Sequence, residues 1–425
     1  MNQITDALGY DSPAYPVFTP EMKKTHKILA PQMVPIHFHM IVEMLKQEGY
    51  DGEILENDGP QVLHEGLQYV HNDACYPCLV VIGQFIDALK SGKYDPDHTA
   101  LLLTQTGGGC RASNYLHLLR KALVRAGFPQ VPVISINASN LEKDSGLRIT
   151  PRMLLKALAA LYYGDALMCL YNQVKPYEDN EGDAERLVKK WQDKAVADFA
   201  KNKGVNKRTM QETFDGMAYD FAHMPMTKKP TYKVGVVGEI YVKFSRIGNS
   251  DLEKRLMVQG CEVNVPGLMG FIQYCIVNAA EDIRRYGGSR LVKRVLDWVM
   301  DFTITRETMM RTAIGKYENL RAPGKITEAI RLAQNYVDLG LKMGEGWLLP
   351  GEMAELMEHG FTNIVCAQPF GCLPNHVVGR GMMGKLRDNY PNANITSIDY
   401  DPSATDVNQD NRIKLMLSNA EKTLV

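Results

Sequence analysis

Residues 99–127 read TALLLTQTGGGCRASNYLHLLRKALVRAG, and this stretch decides the fold class. The short apolar run TALLLTQTG (99–107) has the length and bulk of a buried strand. Gly107, Gly108 and Gly109 end it. The segment ASNYLHLLRKALVRAG (112–127) then places apolar residues at helical spacing. Strand, glycine-rich loop and helix in that order form half of a βαβ unit. The same rhythm runs outward on both sides. HKILAPQMV (26–34), GEILEN (52–57) and VPVISIN (131–137) read as strands, and IHFHMIVEMLKQEGY (36–50) reads as a helix. A parallel sheet covered on both faces is expected.

From about Thr150 to His223 the strand signal stops and three helical patterns follow. TKKPTYK (227–233) reads as a linker, and KVGVVGEIYVKF (233–244) as a strand throughout its length. A second βα series follows with CEVNVP (261–266), TNIVCAQPF (362–370) and NITSIDYD (394–401), interrupted by a mostly helical interval from Gly267 to His359. The expected organisation is an α/β module over 1–149, a helical segment over 150–230, and a second α/β module with a helical insertion over 231–425. No short-period sequence repeat is visible.

The chain has 425 residues, 48 Lys+Arg against 49 Asp+Glu, and a net charge of −1, so no global charge excess favours nucleic acid or an anionic membrane. The hydrophobic fraction is 45% and the charged fraction 23%, the balance of a soluble globular protein. The most apolar helical stretch, Leu154 to Tyr171, carries Lys156 and Asp165 and reads as a buried helix. No basic start followed by an apolar run opens the sequence, so a cytoplasmic location is expected. Thiols stay reduced there, and clustered cysteines point to metal or redox chemistry.

The eight cysteines are unevenly placed. Cys75 and Cys78 sit in NDACYPCLVV, a turn opening a helix. Cys110 follows a strand in TQTGGGCRASNY, and Cys372 follows another in AQPFGCLPNH. Loops at the carboxyl ends of parallel strands collect ligands. Nearby helix starts favour thiolate. Glycines let backbone N–H groups close around an anionic group, such as a thiolate-ligated iron–sulfur cluster. Cys169 and Cys275 lie inside apolar helices and read as small buried hydrophobes. The pair His37 and His39 reads as one packed and one solvated side chain of a helix. GGGCRA lacks the P-loop pattern and no dinucleotide fingerprint follows a strand, so no ATP site is expected on this chain.

NDACYP, TGGGCRASNY, VGEIYVKFS, QPFGCLPNHVVGRG and IDYDPSATDVNQDNRIKLML together resemble the 2-hydroxyacyl-CoA dehydratase superfamily. The likeness spans about Leu29 to Leu417. Its closest counterpart is the region following the ATPase modules of large CoA-dehydratase activase-related proteins; double-cubane cluster proteins are more distant. The resemblance implies two flavodoxin- or Rossmann-like α/β domains with a cluster in the cleft between them. It implies a 4Fe–4S cluster held by Cys75, Cys110 and Cys372, or an 8Fe–9S double cubane drawing also on Cys78 and Cys366. Gly108, Gly109 and Gly371 would shape the cluster loops. The implied partner is a separate ATP-hydrolysing activase, itself carrying a 4Fe–4S cluster, that delivers one low-potential electron. The implied substrate is a small molecule, an acyl-CoA among the candidates, and the implied assembly is a homodimer or heterodimer.

Arg111, Asn375 and His376 flank the cysteine motifs and are the candidates for anion holding or proton donation. Glu239, read as mid-strand, requires a partner or a place at the cleft edge. Asp399 and Asp401 read as caps for a helix beginning near Ser403. Three readings remain open: an activase-dependent dehydratase or reductase, a non-catalytic iron–sulfur electron carrier, and a metal-free binding protein for a nucleotide or CoA ester.

Overall fold

A computed structural model describes residues 15–71, 73–105, 109–137, 146–403 and 406–421. Gly107 and Gly108, named above as loop-shaping residues, lie outside them. Among the described residues the named strands form two four-stranded sheets, each parallel throughout. The first holds β1 (Lys27–Ala30), β2 (Asp51–Ile54), β3 (Thr99–Gln105) and β4 (Val133–Asn137) in the order β2-β1-β3-β4. The second holds β5 (Tyr232–Gly238), β6 (Cys261–Asn264), β7 (Asn363–Pro369) and β8 (Asn394–Tyr400) in the order β6-β5-β7-β8. Counted from its own first strand, each sheet has the same order. The chain therefore carries a topological repeat that its sequence does not display.

Helices flank both sheets. In the first module these are α1 (Pro35–Gln47), α2 (Pro60–Tyr69), α3 (Tyr76–Lys90) and α4 (Tyr115–Ala126). The strand-free stretch contributes α5 (Pro151–Val174), α6 (Asp183–Ala200) and α7 (Lys207–Ala222). The second module adds α8 (Leu268–Tyr286), α9 (Arg290–Ile314), α10 (Ile326–Ala333), α11 (Leu348–Glu358) and α12 (Asp406–Ser418).

Local chemistry sets several boundaries. Thr150 caps α5 by accepting the Met153 N–H at 3.1 Å, and Pro151 occupies the first helical position. This helix is long and apolar enough to cross a membrane, yet 67% of its apolar window is buried inside the protein. Its Asp165 accepts the N–H groups of Leu268 (2.8 Å) and Met269 (2.9 Å), capping α8, and faces His37 Nε2 at 2.8 Å. His37 is thus packed against a structural carboxylate, as the sequence pattern suggested, whereas His39, expected to be solvated, is half-buried.

Two expectations are corrected. The run 233–244 is not one strand: β5 stops at Gly238, and Ile240–Phe244 is a one-turn helix. Gly238 has φ +148°, and a Cβ there would stand 1.9 Å from the Ala367 carbonyl oxygen of the neighbouring strand. Only glycine fits where β5 turns away beside β7. The helix expected from Ala112 instead opens as a tight turn, Arg111–Asn114, before α4 begins at Tyr115.

The modules are joined through their first-strand loops. Val34 N–H donates to the Phe244 carbonyl (3.2 Å), and Ile247 N–H to Gln32 Oε1 (3.3 Å). One apolar cluster runs from Leu29, Val34 and Phe85 of the first module to Val236, Tyr241 and Ile398 of the second. The carboxyl ends of both sheets thereby face a common region.

Candidate functional site

Cys75, Cys110 and Cys372 each stand at the start of a helical turn. Cys75 caps α3, Cys110 precedes the Arg111–Asn114 turn, and Cys372 precedes a π-helical turn over Asn375–Arg380. The cause is local in each case. Pro77 sits in the first turn of α3, while Gly371, at φ +72°, turns the chain out of β7. Cys110 and Cys372 are topological equivalents, because each follows the third strand of its sheet.

The three thiols share a second feature. Burial pushes all three up, Cys110 to about 11 and Cys372 to about 12, while a nearby backbone N–H opposes the rise in each. Those N–H groups belong to Cys78, Ala112 and Asn375 respectively. They also share a neighbour, since the charge of Glu239 raises all three. Cys75 additionally acts on Cys110, and its Sγ lies 2.6 Å from the Tyr115 hydroxyl. The second module touches the Cys110 loop directly: a Cβ on Gly109 would meet Met343 Sδ at 2.4 Å.

Glu239 is a further correction. It is not within a strand but caps the Ile240–Phe244 helix, accepting the Val242 N–H at 2.8 Å. Glu345 accepts the Ile240 N–H (3.0 Å) and Asn375 Nδ2 (3.1 Å). Asn375 Nδ2 also reaches Cys372 Sγ at 3.3 Å, so one amide ties a carboxylate to a thiol. Burial, and then the charge of Glu345, lifts Glu239 well above the ordinary carboxylate range; burial likewise lifts Glu345. Two acids held this way favour retention of a proton between them.

Asn375 is fully buried, and its Oδ1 has no hydrogen-bond partner among the described residues. His376 Nδ1 lies 2.9 Å from the Cys372 carbonyl, and its Nε2 lies 3.6 Å from Asp399. Arg111 is exposed; its charge lowers the Cys78 thiol, and it lines a pocket of about 240 Å³ with Cys75, Cys78 and Tyr115. Cys78 is buried in α3, raised by burial and by Cys75. Cys366 is buried inside β7, raised by burial and by Glu345. Both sit as small core residues. Cys275, read as buried, is exposed on α8. Asp401 does not cap a helix at Ser403: it accepts the Ser403 N–H at 2.7 Å in a turn, and α12 begins at Asp406.

Among the described residues no group of three or more His, Cys, Asp or Glu side chains is close enough to hold a metal ion. The donor chemistry nevertheless suits a thiolate-ligated cluster. Three thiols meet N–H groups at helix starts, and Asn375 Nδ2 donates to Cys372 Sγ at 3.3 Å.

Sequence reasoning missed Glu345 and Tyr115. Glu345 lies between Gly344 (φ +58°) and Gly346 (φ +41°), and a Cβ on Gly346 would stand 2.2 Å from the Leu341 carbonyl oxygen. An acid between two glycines ahead of an apolar helix was the available signal. Neither the protein-family models nor the curated proteins compared with this chain match it.

Proposed function

We propose that the chain is an iron–sulfur protein of the 2-hydroxyacyl-CoA dehydratase type. It would accept low-potential electrons from a separate ATP-dependent activase for radical dehydration or reduction of a small substrate. One observation carries this reading. The thiols of Cys75, Cys110 and Cys372, far apart in sequence, lie at helix starts, meet a backbone N–H each, and answer to the same carboxylate, Glu239.

When bound, a 4Fe–4S group would supply one-electron transfer and a Lewis-acidic iron left without a protein ligand. Cys75, Cys110 and Cys372 would hold it. The N–H groups of Cys78, Ala112 and Asn375 would offset thiolate charge. Asn375 orients Cys372 and offers Oδ1 as an acceptor to a bound hydroxyl or amide. Glu239 and Glu345, both raised by burial, would share a proton beside the thiols. Arg111, on the solvent side, stands where an anionic substrate group would enter.

Anaerobic reconstitution with iron and sulfide tests the ligand set. About four iron per chain, with the spectroscopic signature of a cubane, is expected. Alanine at Cys75, Cys110 or Cys372 should remove it, whereas Cys169→Ala should not. Full iron in the Cys110→Ala and Cys372→Ala variants would overturn the assignment. Turnover with activase, ATP and reductant then separates an enzyme from an electron carrier. The second reading is a metal-free α/β binding protein for a nucleotide or CoA ester. That reading requires the reconstituted protein to stay colourless.

A further inference from the structure

We propose that the outer half of the α8–α9 hairpin is a self-association surface, on which a second copy of this chain docks antiparallel about a two-fold axis. The inference is independent of any cluster, since the hairpin carries none of the proposed ligands.

The two helices are joined by Gly287, Gly288 and Ser289, and from residue 275 to residue 302 no side chain is buried. Along α9, Leu291, Val295, Trp298 and Phe302 fall on one line, with exposed Val292 beside it. Leu291 is 70% exposed, Val295 52% and Trp298 65%, and the Phe302 ring lies 5.8 Å from that of Trp298. Their spacing of four, three and four residues is that of a coiled-coil seam. Solvent exposure of a continuous aliphatic and indole stripe is unfavourable, and a stripe of this kind marks an interaction site.

The charges along one edge of the stripe identify the occupant. Lys293 is paired with Asp297 within the helix at 2.7 Å. Arg290, Arg294 and Asp301 make no ion pair or side-chain hydrogen bond among the described residues. Arg294 and Asp301 are two turns apart and flank the seam on the same side. In an antiparallel pair that edge meets its own reversed copy. Arg294 then faces Asp301 of the second copy, and the two-fold axis repeats the contact. The same axis sets Leu291 against Phe302, and Val295 against Trp298. A parallel arrangement would put the charged edge against the uncharged edge formed by Val292 and Val299, leaving those charges unpaired. The hairpin is thus self-complementary in one orientation.

Sedimentation and light scattering of the intact chain test this. A dimer is expected. Because Trp191 and Trp347 are buried in the fold, Trp298 should dominate a blue shift of fluorescence as dimer forms with concentration. Trp298→Asp should give a monomer with an unchanged circular dichroism spectrum. Arg294→Asp should weaken association roughly tenfold, the effect of two symmetric exposed pairs turned repulsive. The double exchange Arg294→Asp with Asp301→Arg should restore it. A wild-type monomer at tens of micromolar overturns the proposal, because the stripe must then serve another protein. So does a dimer that survives Trp298→Asp, or a double exchange no better than the single one.

Discussion

The two sheets have the same strand order, yet the modules built on them link strand loop to helix by different chemistry. In the first module the loop after β1 is tied to α3 by neutral amides. Gln32 N–H donates to Gln84 Oε1 at 3.0 Å, and Gln84 Nε2 donates to the Asn57 carbonyl at 2.9 Å. In the second module the helix after β5 is tied to α11 by a buried ion pair, Lys243 to Glu352 at 3.2 Å. The polar loading of the shared region differs in the same sense. The first module brings two thiols, Cys75 and Cys110; the second brings one thiol, Cys372, and two carboxyls, Glu239 and Glu345. The helices α3 and α11 each precede the third strand of their sheet, and Cys75 and Glu345 each stand just before them. Where one module places a thiol, the other places a carboxyl that burial raises. The contrast shows how a repeated topology can carry different side-chain chemistry at equivalent positions.

The comparison can be broken at its charged link first. Lys243→Met leaves Glu352 buried without its partner and should cost about 3–5 kcal/mol in urea unfolding. Combining it with Glu352→Gln should recover much of that loss, because the stranded charge is gone. If the single variant is as stable as wild type, the ion pair is not the strut described. The neutral link should matter less. Gln84→Leu leaves the Gln32 N–H and the Asn57 carbonyl without partners, at a cost of about 1–3 kcal/mol. A loss larger than that of Lys243→Met would reverse the contrast.

The two modules also differ in the sign of their pH dependence. Burial lifts Glu355, on α11, to about 8 from an ordinary 4.5, against the opposing Lys325 N–H. Between those values the unfolded chain binds fewer protons than the folded one, so stability should fall as pH rises through that window. Glu355→Gln should flatten this slope. Glu53, on β2, behaves oppositely. Burial would raise it, but Lys93, Tyr94 and Lys27 outweigh burial and hold it at about 2. Here the unfolded chain binds more protons, and stability should be lost as pH falls from 4.5 towards 2. Urea midpoints across pH 2–9 for wild type, Glu355→Gln and Glu53→Gln would reveal whether the two slopes have these signs.

Much of the fold was legible because parallel strands buried on both faces read as short apolar runs closed by glycine or polar loops. Thr99–Gln105 and Asn363–Pro369 lie within the runs expected for them. The run at 233–244 misled because both strand and following helix are apolar, and periodicity cannot divide them; the collision awaiting a Cβ on Gly238 does. Cys275 misled because α8 is apolar in composition but projects into solvent beyond its first turns.

The sequence by itself determined the alternation of strands and helices, the near-neutral charge, and the placement of Cys110 and Cys372 in loops after strands. These are local properties, set by residue volume, polarity and backbone freedom within a few positions. Only the tertiary structure decided that the two sheets repeat one topology, that Tyr115 reaches Cys75, and that Glu345 stands beside Glu239 across more than a hundred residues. Such meetings depend on how helices and strands pack across the whole chain, and no short window of residues contains that information.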